Sequence, residues 1–239
     1  MTIQNTLNTS VAYKGKTLTI KVKKAAAAKR ISVKPSYKDY GAKVTIPKYI
    51  SYNKGVEFAK KNLDWLINLL NKQTPKDIIE LEQITLLGKN FKIKAIEKDV
   101  KCKINLTYDD LIINGNLNNQ DEIKVALKKF FKNIAKEYFV TMVNKQTSLL
   151  NIQYKKVIIR DSETRWGSCS SLKNIALNWR LIFAPKEIAD YVISHEVAHL
   201  LHFNHSKNFW QLVENLHPGS KAAKTWLKQN GNKVYNVVL

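Results

Sequence analysis

His195-Glu196-Val197-Ala198-His199 opens a stretch, HEVAHLLHFNH, that holds four of the five histidines in a 239-residue chain. The pattern is H-E-x-x-H. On a helix, residues four apart lie on one face, so His195 and His199 can grip a single ion. Imidazole nitrogen in a tetrahedral set suits zinc, and a catalytic zinc keeps one position open. Such an ion lowers the pKa of its bound water towards neutrality and polarises a carbonyl or phosphoryl oxygen. Glu196 lies beside the ligand face. It is placed to take the water proton as general base and to return it to the leaving group as acid.

Two ligands are too few, and three residues compete to be the third. His205 gives H-E-x-x-H-x-x-x-x-x-H, the ligand spacing of the metzincin signature, but His202 stands where that signature has a glycine. The turn after the helix must then be made differently. Asn204 is the best residue for it, because Asn tolerates the left-handed conformation. His202 lies near the face of His195, but three ligands along one straight helix span ~10 Å, a poor match to one small ion. His205 therefore ranks above His202, and Glu214 stands third. His217 precedes Pro218 in a turn and is read as non-ligating. The developing oxyanion needs a further donor. Arg165 and Arg180 qualify by type, although either can pair with Asp161 or Glu163 instead.

These residues need elements to hold them. The segments TLTIKVKK, RISVKPS and AKVTIP, within residues 11 to 50, alternate apolar and polar positions as strands do. One helix is expected over about 52–72, with Val56, Ala59, Leu63, Leu66 and Leu70 in a stripe, ended near Pro75. ITLLGKNFKIKAIE and KCKINLTYDDLIING read as further strands. Asn119 and Glu122 resemble a capping box opening a helix to about 149, with Leu127, Phe130, Ile134, Tyr138 and Met142 as its core stripe. YKKVIIR reads as a strand and TRWGSCSSLKNIALNWRLIFAP as a hairpin or strand pair. A helix follows over about 186–202, then two shorter ones near 206–216 and 219–229. Ser206 is expected to cap the first of these. Trp166, Trp179 and Trp210 are expected to pack around the histidine helix, as is Cys169. Gly167 is expected to allow a tight turn. No internal repeat is evident, and a boundary near residue 115 divides the chain into 1–115 and 116–239.

Composition limits the partners. The net charge is +21, and residues 1–60 hold 13 basic and 2 acidic residues. Such a balance favours polyanions. Three of the four arginines fall within residues 160–180, where guanidinium geometry suits bidentate contacts. Two separated cysteines argue against a disulfide framework or a cysteine zinc ribbon. No apolar leader and no apolar run of membrane-spanning length is present, so a reduced, cytoplasmic protein is expected, with no membrane partner.

The run R-W-G-S-C-S, the strand N-W-R-L-I-F-A-P and the stretch H-E-x-A-H-L-x-x-x-x-H-S-x-x-F-W resemble the YgjP-like metallopeptidase family, and more loosely the SprT-like and WLM zinc proteases. The likeness is strong over 155–217 and moderate over 11–72. It implies His195, His199 and His205 as zinc ligands and Glu196 as the catalytic residue. The implied fold is α+β: a zincin-like unit carrying the HExxH helix, after a basic β-rich region. The expected function is a zinc-dependent peptidase with a peptide or protein substrate, acting near nucleic acid that is met through the basic surface. Two other readings stand beside it. One is a zinc-dependent nucleotide phosphohydrolase releasing pyrophosphate from nucleoside triphosphates. The other is a nucleic-acid-binding module with a structural zinc. No P-loop is present, so a nucleotide would have to be held by side chains.

Overall fold

The computed structural model describes residues 6–36, 40–72, 81–162, 164–235 and 237. The chain forms two compact units that part between Pro75 and Lys76. The expected helix end at Pro75 and the expected partner Glu163 lie outside the described residues.

The first unit is a sheet with two helices. Its strands are β1 (Thr6–Tyr13), β2 (Lys16–Ala25), β3 (Ser32–Ser36) and β4 (Gly41–Pro47), in the order β1-β2-β4-β3. The central pair β2 and β4 is parallel, and the outer pairs are antiparallel. The strand β1 is absent from the sequence reading. Its signal is the Lys14-Gly15 dipeptide, which makes a two-residue turn with φ +49° and +74°. Two positive φ values match the twist of a hairpin. The expected single helix is two, α1 (Tyr52–Lys61) and α2 (Leu63–Lys72). Asn62 breaks it by turning its amide onto the Phe58 carbonyl at 2.7 Å, a side-chain bond that competes with the helical ladder. The stripe holds across the break, with Ala59, Leu63, Leu66 and Leu70 buried against Leu18, Ile20, Val22, Ala42, Val44 and Ile46.

The second unit opens on the same strand order. β5 (Gln83–Leu86), β6 (Lys89–Glu97), β7 (Lys103–Leu106) and β8 (Asp110–Gly115) run β5-β6-β8-β7, again with a parallel central pair. Its first hairpin turns at Leu87-Gly88, with φ +48° and +81°. The chain therefore contains a topological repeat where none was expected. The correspondence is carried by Lys14-Gly15-Lys16 and Leu87-Gly88-Lys89, too short a likeness to stand out in sequence alone.

This second sheet shares a core with all that follows it: Ile84, Leu86, Phe91, Leu111 and Ile113 bury with the later helices. That shared burial is why the compact unit starts at Lys76, ahead of the boundary near 115. The long helix α3 (Gln120–Leu149) starts as expected, with the Asn119 side chain accepting from the Glu122 amide. The Glu122 carboxylate takes the Cys102 amide at 2.8 Å as well as the Asn119 side chain, so the cap also ties helix to sheet. The buried stripe is Ile123, Leu127, Phe131, Ala135, Phe139 and Val143. Phe130, Ile134, Tyr138 and Met142 flank it, half-buried. Adjacent apolar residues at 130–131 and 138–139 made either stripe readable, and packing selected the later one.

β9 (Lys156–Arg160), β10 (Gly167–Cys169) and β11 (Asn174–Asn178) form a small sheet ordered β10-β11-β9. A 3₁₀ turn (Trp179–Phe183), α4 (Lys186–Ala198), α5 (Lys207–Leu216) and α6 (Ser220–Tyr235) complete the unit. No helix among the described residues is long and apolar enough to cross a membrane.

Candidate metal centre

α4 carries the first two histidines and is held firmly. Ile188, Ala189, Val192, Ile193, Val197 and Ala198 are buried. A polar chain joins it to α3: Gln146 Nε2 donates to Ser194 Oγ at 2.8 Å, and Ser194 Oγ donates to the Asp190 carbonyl at 2.9 Å. The Tyr138 hydroxyl also donates to the Asp190 carboxylate. Such buried bonds specify helix position as well as stabilise it.

The helix ends at Ala198, earlier than expected, and the chain leaves through short bonds from Leu200 to Val197 and from Leu201 to Ala198. This tightened exit turns the chain without Asn204, which is not among the residues with positive φ. Ser206 then caps α5 by accepting from the Phe209 amide, which fixes the turn that presents His205.

One ligand atom from each of His195, His199 and His205 lies within 4.8 Å of the others. The Nε2 atoms of His195 and His205 are 3.3 Å apart. Imidazole nitrogens about 2.0–2.1 Å from a tetrahedral zinc stand about 3.3–3.4 Å from one another, so this pair already has the separation such an ion needs. His199 Nδ1 lies 2.9 Å from the His202 carbonyl. A carbonyl only accepts, so Nδ1 carries the proton and Nε2 keeps its lone pair, as a metal ligand requires. That is the role of His202: its backbone orients a neighbour. Glu214 is spent elsewhere, accepting from Gly219, Ser220 N and Ser220 Oγ at the start of α6. His217 ends α5 with its ring 6.1 Å from Tyr191.

Phe209, which stands in the H-S-x-x-F-W run but was given no role there, is the floor of the cluster. It is fully buried, and its ring centroid lies 4.9, 4.5 and 4.8 Å from the rings of His195, His199 and His205. Its position three residues after the capping serine was the available signal. Burial pushes His195 down to about 4, with His199, His205 and Lys224 adding to the effect. Burial likewise lowers His199, against the pull of the His202 carbonyl. Neutral imidazole is the ligating form.

Glu196 is 5% exposed. Burial pushes its carboxyl up to about 8, and Oε2 is buried with no hydrogen-bond partner among the described residues. An unpartnered buried carboxyl oxygen is costly unless it has a use. Gly167 of β10 lies against this side chain so closely that a Cβ there would stand 2.5 Å from Glu196 Oε1. Gly167 has no positive φ, so its purpose is this close approach and not the tight turn that was expected.

Arg165, Gly167, Tyr191, His195 and Glu196 line a cavity of about 230 Å³. Tyr191, one helical turn ahead of His195, joins them without having been anticipated. A larger cavity of about 580 Å³ shares Arg165, Trp166 and Gly167 and extends over Ile158, Ala176 and Ser168 of the small sheet. Arg180 is not with them. It donates to Asp161, and its guanidinium lies 4.5 Å from the centre of the Trp179 ring. Of the two arginines, only Arg165 reaches the histidine cavity. Trp179 is buried, and Trp166 stacks on Tyr235 with centroids 3.8 Å apart. Burial, then Glu196, pushes Cys169 up to about 11, so it remains a packed thiol.

Asp161 also accepts from Lys128 at 2.8 Å. Burial opposes its ionisation, but the bonds from Lys128 and Arg180 outweigh this and hold the carboxyl well below its usual range. A depressed folded pKa gives stability that is present above about pH 4 and is lost as pH falls further. Asp161→Asn should lower stability at neutral pH by about 1 kcal/mol, since the pair is partly solvated. The loss should shrink below about pH 4. Urea unfolding at a series of pH values measures both, and a pH-independent difference would contradict the ion-pair account.

The YgjP-like metallopeptidase domain matches residues 29–230. Two crystal structures are similar to parts of the chain. The metallopeptidase zymogen abylysin of Pyrococcus abyssi is 25% identical, with 42% of this chain and 99% of that one covered and a TM-score of 0.36. The metallopeptidase zymogen jannalysin of Methanocaldococcus jannaschii is 23% identical, with 40% and 96% covered and a TM-score of 0.34. No curated protein matches.

Proposed function

The chain belongs to the YgjP-like metallopeptidase family, and from that membership we propose that it is a zinc peptidase with His195, His199 and His205 as ligands and Glu196 as general base. The observation that carries the reading is the convergence of three imidazoles beside a buried carboxyl that has an oxygen unpartnered among the described residues. The donor set suits zinc: three nitrogens, one pair already at tetrahedral separation, and one tautomer set by a backbone carbonyl. When bound, the ion would supply Lewis acidity for the scissile carbonyl and acidify water.

The chain's own residues would do the rest. Glu196 Oε2 accepts the proton of the attacking water and delivers it to the departing amine. The low-polarity wall of Gly167, Val192 and Leu227 keeps that carboxyl basic enough to take a proton near neutral pH. Arg165, at the junction of the two cavities, is placed to hold a substrate carbonyl or carboxylate. Phe209 excludes solvent behind the imidazoles.

A nucleotide phosphohydrolase would want several cations on the phosphates; Arg180 is paired with Asp161, Arg165 lines the histidine cavity and Arg160 lines the adjoining one. The peptide reading is favoured by the family match. Metal analysis of the protein, purified without added metal or a histidine tag, should give about one zinc per chain, and His205→Ala should lose most of it. The zinc-loaded enzyme should then cut members of a quenched-fluorescence peptide library and release neither phosphate nor pyrophosphate from nucleoside triphosphates. Zinc retention in His205→Ala would remove it as a ligand, and pyrophosphate release without peptide cleavage would replace the peptidase reading.

A further inference from the structure

We propose that the larger cavity beside the histidine cluster selects acidic peptides, with Arg160 and Arg165 as the residues that hold aspartate or glutamate side chains of the substrate. The proposal rests on the peptidase reading and adds the substrate class to it.

Residue usage makes the cavity stand out. The chain has 40 lysines and arginines, and only Arg30, Arg160, Arg165 and Arg180 are arginine. Two of these four line the cavity of about 580 Å³, and among the described residues no lysine does. The chain's common cation is a compact, strongly hydrated point charge. The guanidinium is a planar fork, and it grips a planar carboxylate through two parallel bonds, which an ammonium cannot do.

These two arginines are not used up within the protein. Arg180 donates to Asp161, but the exposed side chains of Arg160 and Arg165 make no hydrogen bond or ion pair with another described residue. Asp161, the carboxylate on the cavity lining, does not cancel them, because Arg180 and Lys128 answer its charge. The cavity is therefore positive, and an acidic group is the complement it lacks.

Strand register explains how Arg160 reaches it. Val157, Ile159, Ile175 and Leu177 pack into the core. The alternate residues Ile158, Arg160 and Ala176 stand on the other face of the small sheet, and all three line the cavity. Ser168, Ala176 and Ile158 lie opposite one another across β10, β11 and β9. They form an uncharged base on which the aliphatic stem of an acidic side chain can rest, with Arg160 two residues beyond Ile158 at its far side. The two cavities meet at Arg165, Trp166 and Gly167, so this surface is continuous with the metal centre. From β10 to β9 is two strand spacings, about 10 Å, or about three residues of extended peptide. Arg165 therefore meets the substrate near the scissile bond, and Arg160 meets it about three residues further along on the same side.

Matched quenched-fluorescence peptides with amidated C-termini test this on the zinc-loaded, full-length protein, starting from a sequence that it cuts. Glu is exchanged for Gln at one position at a time on both sides of the scissile bond. Glu should exceed Gln in kcat/KM by about tenfold or more at positions on one side only. Arg160→Gln should bring that ratio near one at the farther position, and Arg165→Gln at the nearer. Arg160→Glu should turn the farther preference towards lysine, a gain that misfolding cannot produce. Arg30→Gln, at an exposed position of the first unit, should leave every ratio as it was. Cleavage with no preference for Glu over Gln, a preference that both glutamine variants keep, or a preference for a free C-terminus in place of the side chain would each overturn the proposal and leave the peptidase standing. A failure to cut any peptide would overturn both.

Discussion

Glu196→Gln should lower the rate of peptide hydrolysis by about 10²- to 10⁴-fold while the protein keeps its zinc. The amide has nearly the shape of the carboxyl, so packing against Gly167 and β10 should survive. What disappears is the ability to accept a proton. Oε2 has no hydrogen-bond partner among the described residues, so its loss should break no structural bond. The effect should therefore appear in kcat, with KM and melting temperature nearly unchanged. A purely structural Glu196 would give the reverse: a lower melting temperature and near-normal turnover per folded molecule. Steady-state kinetics with metal analysis on the same preparation separates the two.

Gly167→Ala should be almost as damaging, although residue 167 offers no functional group. A Cβ would stand 2.5 Å from Glu196 Oε1, 2.6 Å from Cγ and 2.7 Å from Cδ, far inside normal contact. The strand conformation suits alanine, so the backbone carries no penalty. The neighbour that must yield is the Glu196 side chain, and its surroundings are closely packed. Overpacking of this kind costs about 1–3 kcal/mol of stability. The larger consequence is that the carboxyl leaves the position from which it reaches water. A misplacement of about 1 Å costs about 10² in rate, so activity should fall at least that far with zinc content unchanged. Wild-type turnover in Gly167→Ala would show that the carboxyl has room to move or does not act as the base.

Much of the site was legible because it is local. His195 and His199 share a face through the 3.6-residue period alone, and Ser206 caps the next helix through its own hydroxyl. The choice of His205 over His202 also followed from helix length and ion size. Strand signals marked ten of the eleven strands among the described residues, and the missed one was announced by a Lys-Gly turn. Where two local patterns competed, as with the adjacent aromatics of α3, the periodicity could not choose. Both stripes are amphipathic, and only the surface they meet distinguishes them.

By itself, then, the sequence brought out the candidate ligand pair, the candidate base, the family resemblance and most of the elements, since each depends on residues within a helical turn or a short run. The tertiary structure alone decided the rest. It placed Gly167 against Glu196 across 29 positions of sequence, put Phe209 beneath three imidazoles, sent Arg180 to Asp161 and left Arg165 at the cavity. Burial, and with it the raised pKa of Glu196, belongs to what covers a residue. That covering comes from segments far away in the chain, and no local pattern encodes it.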